Sequence, residues 1–244
     1  MTSQPRSHGD LSFWRCRAEE VEAELADITA TFRAADPDGP DHIHYLFAEL
    51  YLAVTRRWLA LLAERQDSAF AYRVICHFLR LYRLECVDRL TQPLDTVSPH
   101  WRAYHRLARH QTIRSPITAH LILISVGARA HTHGDLGRAM CLAEEEMGSA
   151  VGKAAPALDA ERQRIFGEIS DKAFYGAARD YTALQHSRHR GWRRIILRIY
   201  GIGLVLLKPV WMPTFQRWRR VGHAQALAAR DTTDRSARVT FPKD

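Results

Sequence analysis

The spacing of its apolar residues constrains this chain most. They recur three and four apart, and no stretch alternates apolar with polar residues for long. The first period belongs to helices and the second to strands, so the sequence predicts an all-α fold. Between Leu11 and Ala35, Phe13, Val21, Leu25, Ile28 and Phe32 fall at helical intervals. Two prolines and a glycine in Asp36 to Asp41 close that helix. Asp41 can cap a second helix, His42 to about Gln66, with Leu46, Leu50, Val54, Trp58, Leu61 and Leu62 on one stripe. Asp67 or Ser68 caps a third, to about Leu90, carrying Phe70, Val74, Phe78, Leu81 and Leu84. Ser98-Pro99 and Ser115-Pro116 each pair a capping residue with a proline at the first helical position. Leu136 to about Met147 reads as a short helix, and Asp159 opens a long one towards His186.

A chain of 244 residues suits one large domain or two small ones. Hydrophobic residues at 46% and charged residues at 25% match an ordinary globular core and surface. The expectation is one bundle-like helical domain over 11–230 around a polar pocket, between disordered tails at 1–10 and 231–244. The small-residue run from Gly148 to Ala157 marks a candidate internal boundary near 148–157. Cys16, Cys76, Cys86 and Cys141 lack C-x-x-C spacing and read as free thiols of a reducing, cytoplasmic compartment. The first ten residues hold no apolar h-region, and no apolar run reaches the length of a membrane span.

The formal net charge of +8 is localised. Tyr181 to Arg230 contains no Asp or Glu and ten Lys or Arg, interleaved with Trp192, Tyr200, Trp211, Phe215 and Trp218. That region predicts an anionic partner. Its apolar run Ile199 to Leu207 could be a core helix with a solvated basic face. Arg and Trp flanking an apolar segment also suit an anionic membrane surface. Single-stranded nucleic acid ranks last, because no nucleic-acid motif accompanies the aromatics.

The richest chemical cluster is Gly127 to Arg138, GARAHTHGDLGR. On a regular helix His131 and Asp135 lie one turn apart on one face, and His120 falls on the same stripe about three turns back. An imidazole and a carboxylate so placed can ligate a divalent metal, or the carboxylate can orient the imidazole as a general base. His133 shares the stripe only if the helix breaks near Gly134. A plainer reading makes Asp135 the cap of the next helix, with both histidines at an ordinary helix end.

Other polar residues sit at apolar positions. His77 and Asp88 are eleven apart, hence on one face of the third helix with Leu81 and Leu84. They are either satisfied core groups or part of the same cavity as His131. His44, Tyr51 and Thr55 form a polar stripe that could face that cavity. His105, His110, His186, His189 and His223 sit among arginines and read as surface groups.

Four segments together resemble a bacterial helical family, domain of unknown function 5995. They are AELYLAVTRRW (Ala48 to Trp58), FLRLYRLECVD (Phe78 to Asp88), ARAHTHGDLGRAM (Ala128 to Met140) and ARDYTALQ (Ala178 to Gln185). The resemblance covers roughly residues 44 to 220. It carries over Tyr51, Val54, Thr55, Asp88, His131, Asp135, Leu136, Arg179 and Asp180, and Tyr82 lies near its expected tyrosine. Arg129 and His133 replace its asparagines, Gly137 its proline, and its late tryptophan is missing. The resemblance implies an all-helical fold and no established activity. The His131/Asp135 pair alone is similar to the H-x-x-x-D of the zinc-dependent phospholipase C and P1 nuclease fold, whose N-terminal Trp ligand and downstream H-x-x-x-E are not evident.

Three functions follow. In the first, His131, Asp135, His133, His77, Asp88 and His44 hold zinc, iron or manganese, which activates water in a hydrolase-like enzyme. Asp135, His131, Arg129 and Tyr51 serve catalysis there, with Arg129 steadying an anionic small-molecule substrate. In the second, a non-catalytic helical module binds anionic membrane or an apolar ligand through residues 181–230. In the third, a metal-free enzyme uses the same pocket for His/Asp acid–base chemistry. No nucleotide-cofactor motif is present, and the sequence leaves the oligomeric state open.

Overall fold

The cap expected at Ser68 forms, its Oγ accepting from the Ala71 N–H at 3.0 Å. From it α3 (Ala69–Glu85) runs with Phe70, Val74, Phe78 and Leu81 buried. In the computed structural model, which describes residues 11–35, 43–65, 68–110, 116–151 and 155–239, helix follows helix, and no strand occurs among the described residues. The fold is all-α.

Before α3 come α1 (Leu11–Ala34) and α2 (Tyr45–Arg65), and after it a single 3-10 turn (Val87–Arg89) and α4 (Arg102–Arg109). Two pairs of helices are fused through π-helical turns. α5 (Pro116–Arg129) passes through Ala130–Asp135 into α6 (Leu136–Val151), and α7 (Ala155–Arg164) through Ile165–Ser170 into α8 (Asp171–Arg188). α9 (Trp192–Leu206) and α10 (Lys208–Val239) complete the order.

α2 packs against α1, α5 and α8, while α3 packs against α1 and α6. α10 crosses α6 and the first π turn, and α9 lies on α8. Leu62, Phe70, Tyr72, Tyr82, Trp101 and Leu123 sit at the centre of one continuous apolar cluster. Burying that surface drives the association of the helices. Two polar knots fix their register. Glu49 receives Arg33 at 2.7 Å, Arg188 at 2.7 Å and Gln185 at 2.5 Å, joining α1, α2 and α8. Arg219 of α10 meets Asp171 at 2.6 Å and the Phe166 carbonyl at 2.8 Å.

The boundaries depart from the sequence expectation in several places. α3 stops at Glu85, so Leu84 is 46% exposed and Asp88 sits exposed in the 3-10 turn. The eleven-residue spacing from His77 to Asp88 therefore no longer places them on one helical face. α10 continues to Val239, through the start of the expected tail, because its Ala-rich sequence keeps good helix formers beyond Arg220. The long helix expected from Asp159 begins at Ala155 and contains the second π turn. Around the candidate boundary at 148–157, α6 reaches Val151 and α7 resumes at Ala155. The expected caps Asp41, Asp67 and Ser115 lie outside the described residues, as do the tail at 1–10 and residues 240–244.

Candidate active site

The central cluster neither continues as a regular helix nor breaks. Ala130–Asp135 forms a π turn, a local widening that often accompanies functional sites. Within it the Nδ1 of His131 lies 2.9 Å from Asp135 Oδ2. The same oxygen accepts from the indole N–H of Trp101 at 2.9 Å, and Oδ1 accepts from His100 Nε2 at 2.8 Å. Asp135 is 0% exposed, so three N–H donors replace its water shell.

His100 and Trp101 come from the Ser98-Pro99 signal, which does something other than expected. The α-helix begins only at Arg102, and residues 98–101 form a turn closed by Trp101 N–H on the Ser98 carbonyl at 2.9 Å. That turn presents both side chains to Asp135. Gly134 makes room for the histidine, since a Cβ there would lie 2.1 Å from His100 Cδ2.

Burial alone would raise the Asp135 carboxyl, but hydrogen bonds from His100 and His131 outweigh it and hold the group below its ordinary value. Burial is the main influence on His131 and lowers it, with Asp135 opposing. The pair is therefore an ionised carboxylate beside a neutral imidazole whose Nδ1–H points at the carboxylate. That tautomer leaves Nε2 as a bare acceptor. Nε2 is buried and has no hydrogen-bond partner among the described residues.

The His131 ring stacks on Phe78, centroids 3.5 Å apart, and meets the edge of Tyr51 at 4.4 Å. It lines a cavity of about 40 Å³ with Phe47, Tyr51, Trp58, Phe174 and Phe215. Trp58 Nε1, a donor, is also buried without a partner among the described residues. One apolar cavity is thus lined by two residues that carry an unused acceptor and an unused donor. A hydroxyl has the donor and the acceptor that such atoms lack.

The other nominated residues are elsewhere. Arg129 and His133 line a separate cleft of about 880 Å³ on the far side of the π turn, together with His100 and Arg138. Burial, then the nearby Arg129 and His100, lowers the His133 imidazole. His77 Nε2 faces Glu146 at 3.2 Å, and His77 and Asp88 edge a third cleft, about 950 Å³, along α1 and α3. His44 is buried, its Nδ1 2.9 Å from the Tyr104 hydroxyl, and burial lowers it to about 3. His105 was expected at the surface; it is 1% exposed, because α4 turns that face onto the Trp101 and Tyr104 rings. Thr55 is buried, and the His120 side chain lies outside the described residues.

Of the six nominated metal ligands, then, only His131 and Asp135 meet. Each histidine on Asp135 spends a ring nitrogen on a different carboxylate oxygen, and among the described residues His131 gathers with no group of three ligand-type atoms. This donor set does not fit a metal centre. Among the described residues, the ligand-type atoms that gather within 4.8 Å belong to Cys141, Glu144 and His223, where Arg162 already holds Glu144 at 3.1 Å.

Sequence reasoning missed His100, Trp101 and the buried, unpartnered indole N–H of Trp58. The signal for the first two was their place directly after Ser98-Pro99. Of the residues to which the family resemblance points, Tyr51 and Tyr82 lie against His131, with ring centroids at 4.4 Å and 5.6 Å. Asp180, on α8, instead makes an exposed pair with Arg57 at 3.3 Å. No family model, no curated protein and no solved structure matches this chain.

Proposed function

We propose that the protein is a metal-free acid–base enzyme acting on the hydroxyl group of a small, largely apolar molecule. One observation carries the reading: the buried, unpartnered Nε2 of His131, on a ring whose other nitrogen is fixed by ionised Asp135. His131 is the general base, and its Nε2 takes the hydroxyl proton. Asp135 is a positioning residue that holds the tautomer and stabilises the imidazolium as it forms. The Trp58 indole N–H donates to the same hydroxyl oxygen. The aromatic walls shield the site from bulk water, and the cavity of about 40 Å³ admits the reacting hydroxyl group itself.

The test has two parts. Elemental mass spectrometry of the purified protein, beside His131→Ala and Asp135→Ala, is expected to find no stoichiometric metal. Near-stoichiometric zinc, iron or manganese, lost in both variants, would replace this reading with a metal-dependent one. A turnover screen over aromatic and short-chain alcohols, run in chelator, is expected to give an activity that His131→Gln lowers by at least ~100-fold. An activity indifferent to that substitution would end the proposal.

A further inference from the structure

The basic region holds the clearest exposed apolar surface of the molecule, and the acid–base site does not use it. α9 sits on α8 through Leu197, which is 3% exposed, and through Gly201, where a Cβ would lie 3.1 Å from Thr182 Cγ2. The opposite face carries Trp192 (59% exposed), Ile195 (61%), Ile199 (63%), Ile202 (51%) and Leu206 (71%). At one residue per 100° these five fall within an arc of about 80°. Val210, 68% exposed, follows just past the bend into α10. So many large apolar side chains on one face mark a contact site.

The flanks identify the partner. Arg198 lies on one side of the stripe and Arg193 on the other, with Arg190 before the helix and Lys208 just past its end, all exposed. No Asp or Glu occurs from Tyr181 to Arg230. Arg188 shares Glu49 with Arg33, and buried Arg219 pairs with Asp171; Arg190, Arg193 and Arg198 have no carboxylate partner among the described residues. We propose that the α9 face docks in the plane of an anionic lipid bilayer, with its aliphatic stripe below the headgroups and its arginines among the phosphates. A second copy of the chain would bring the same cations together without counter-charge. A nucleic-acid strand would find one stacking ring, Trp192, amid aliphatic side chains. No single described helix is long and apolar enough to cross a membrane; α9 and α10 meet that length and hydropathy only as a pair, broken by a 75° bend. In-plane docking suits that shape.

Flotation of the full chain with vesicles tests this. One set is phosphatidylcholine alone, the other phosphatidylcholine mixed with phosphatidylglycerol. Binding is expected on the anionic vesicles only, and at least tenfold weaker for the double variant Ile195→Glu, Ile199→Glu and for Arg193→Gln, Arg198→Gln. All four positions are exposed, so circular dichroism should show unchanged folding. Failure of the wild type to float, equal flotation on both vesicle types, or undiminished binding of the stripe variant overturns the proposal. So does a dimer that the stripe variant dissociates, or retention of a single-stranded oligonucleotide without vesicle binding. His131→Gln is expected to float like the wild type, so this result stands or falls apart from the acid–base reading.

Discussion

The π turn around Asp135 and the outer face of α9 handle polarity in opposite ways. At the π turn a charge is fully buried, and three N–H groups from two distant stretches of chain converge on it. On α9 the charges stay in water and the apolar side chains are left out with them. The first arrangement draws on low dielectric, where each hydrogen bond is strong and each missing partner is costly. The second draws on surface area and long-range attraction, which salt screens. On the two readings proposed above, a chemical site and an attachment surface would occupy one fold without sharing residues.

The contrast can be broken most forcefully at Asp135. Asp135→Ala leaves buried N–H groups on His131 and Trp101 without an acceptor, and a loss of about 2–4 kcal/mol is expected in urea denaturation. A loss below about 1 kcal/mol would mean that water already serves those donors. The Ile195→Glu, Ile199→Glu variant should leave the same curve within about 0.5 kcal/mol per site.

Acid should separate the two regions next. Burial lowers His44 to about 3 and His105 to about 4 from an ordinary 6.5. The unfolded chain therefore takes up protons first as pH falls below 6.5, and stability should drop from there towards pH 4. Asp135, also held below its ordinary value, adds a further loss at pH values under its usual 3.8. Thermal melts from pH 7 to pH 4 measure this. Vesicle binding through the exposed α9 face should respond to salt instead.

The backbone contact behind the site offers a smaller effect. α10 crosses the π turn so closely that a Cβ on Gly222 would lie 2.0 Å from the His133 carbonyl oxygen. Gly222→Ala should cost about 1–3 kcal/mol by pushing the helix away, read as a lowered melting temperature. Trp101→Phe keeps most of the packing and removes one donor to Asp135, with about 1 kcal/mol expected.

Local patterns along the chain determined a good part of this. Apolar spacing specified helices throughout, because a 3.6-residue period can bury one face only on a helix. Ser68 specified its own cap, since the donor it serves is three residues away. The pairing of His131 with Asp135 was legible for the same reason. The tertiary structure decided what no local rule encodes. His100 and Trp101 stand about thirty-five residues from the carboxylate they serve, and only the packing of α4 on α5 brings them there. Asp88 left the His77 face because the helix ended early. His105 became a core residue because a neighbouring aromatic cluster covered it. The interleaved Arg and apolar residues of α9 were visible from the start, but whether that helix turned its apolar face inward depended on how much surface α8 offered. It offered room for Leu197 and Gly201, and the stripe beyond them faces out.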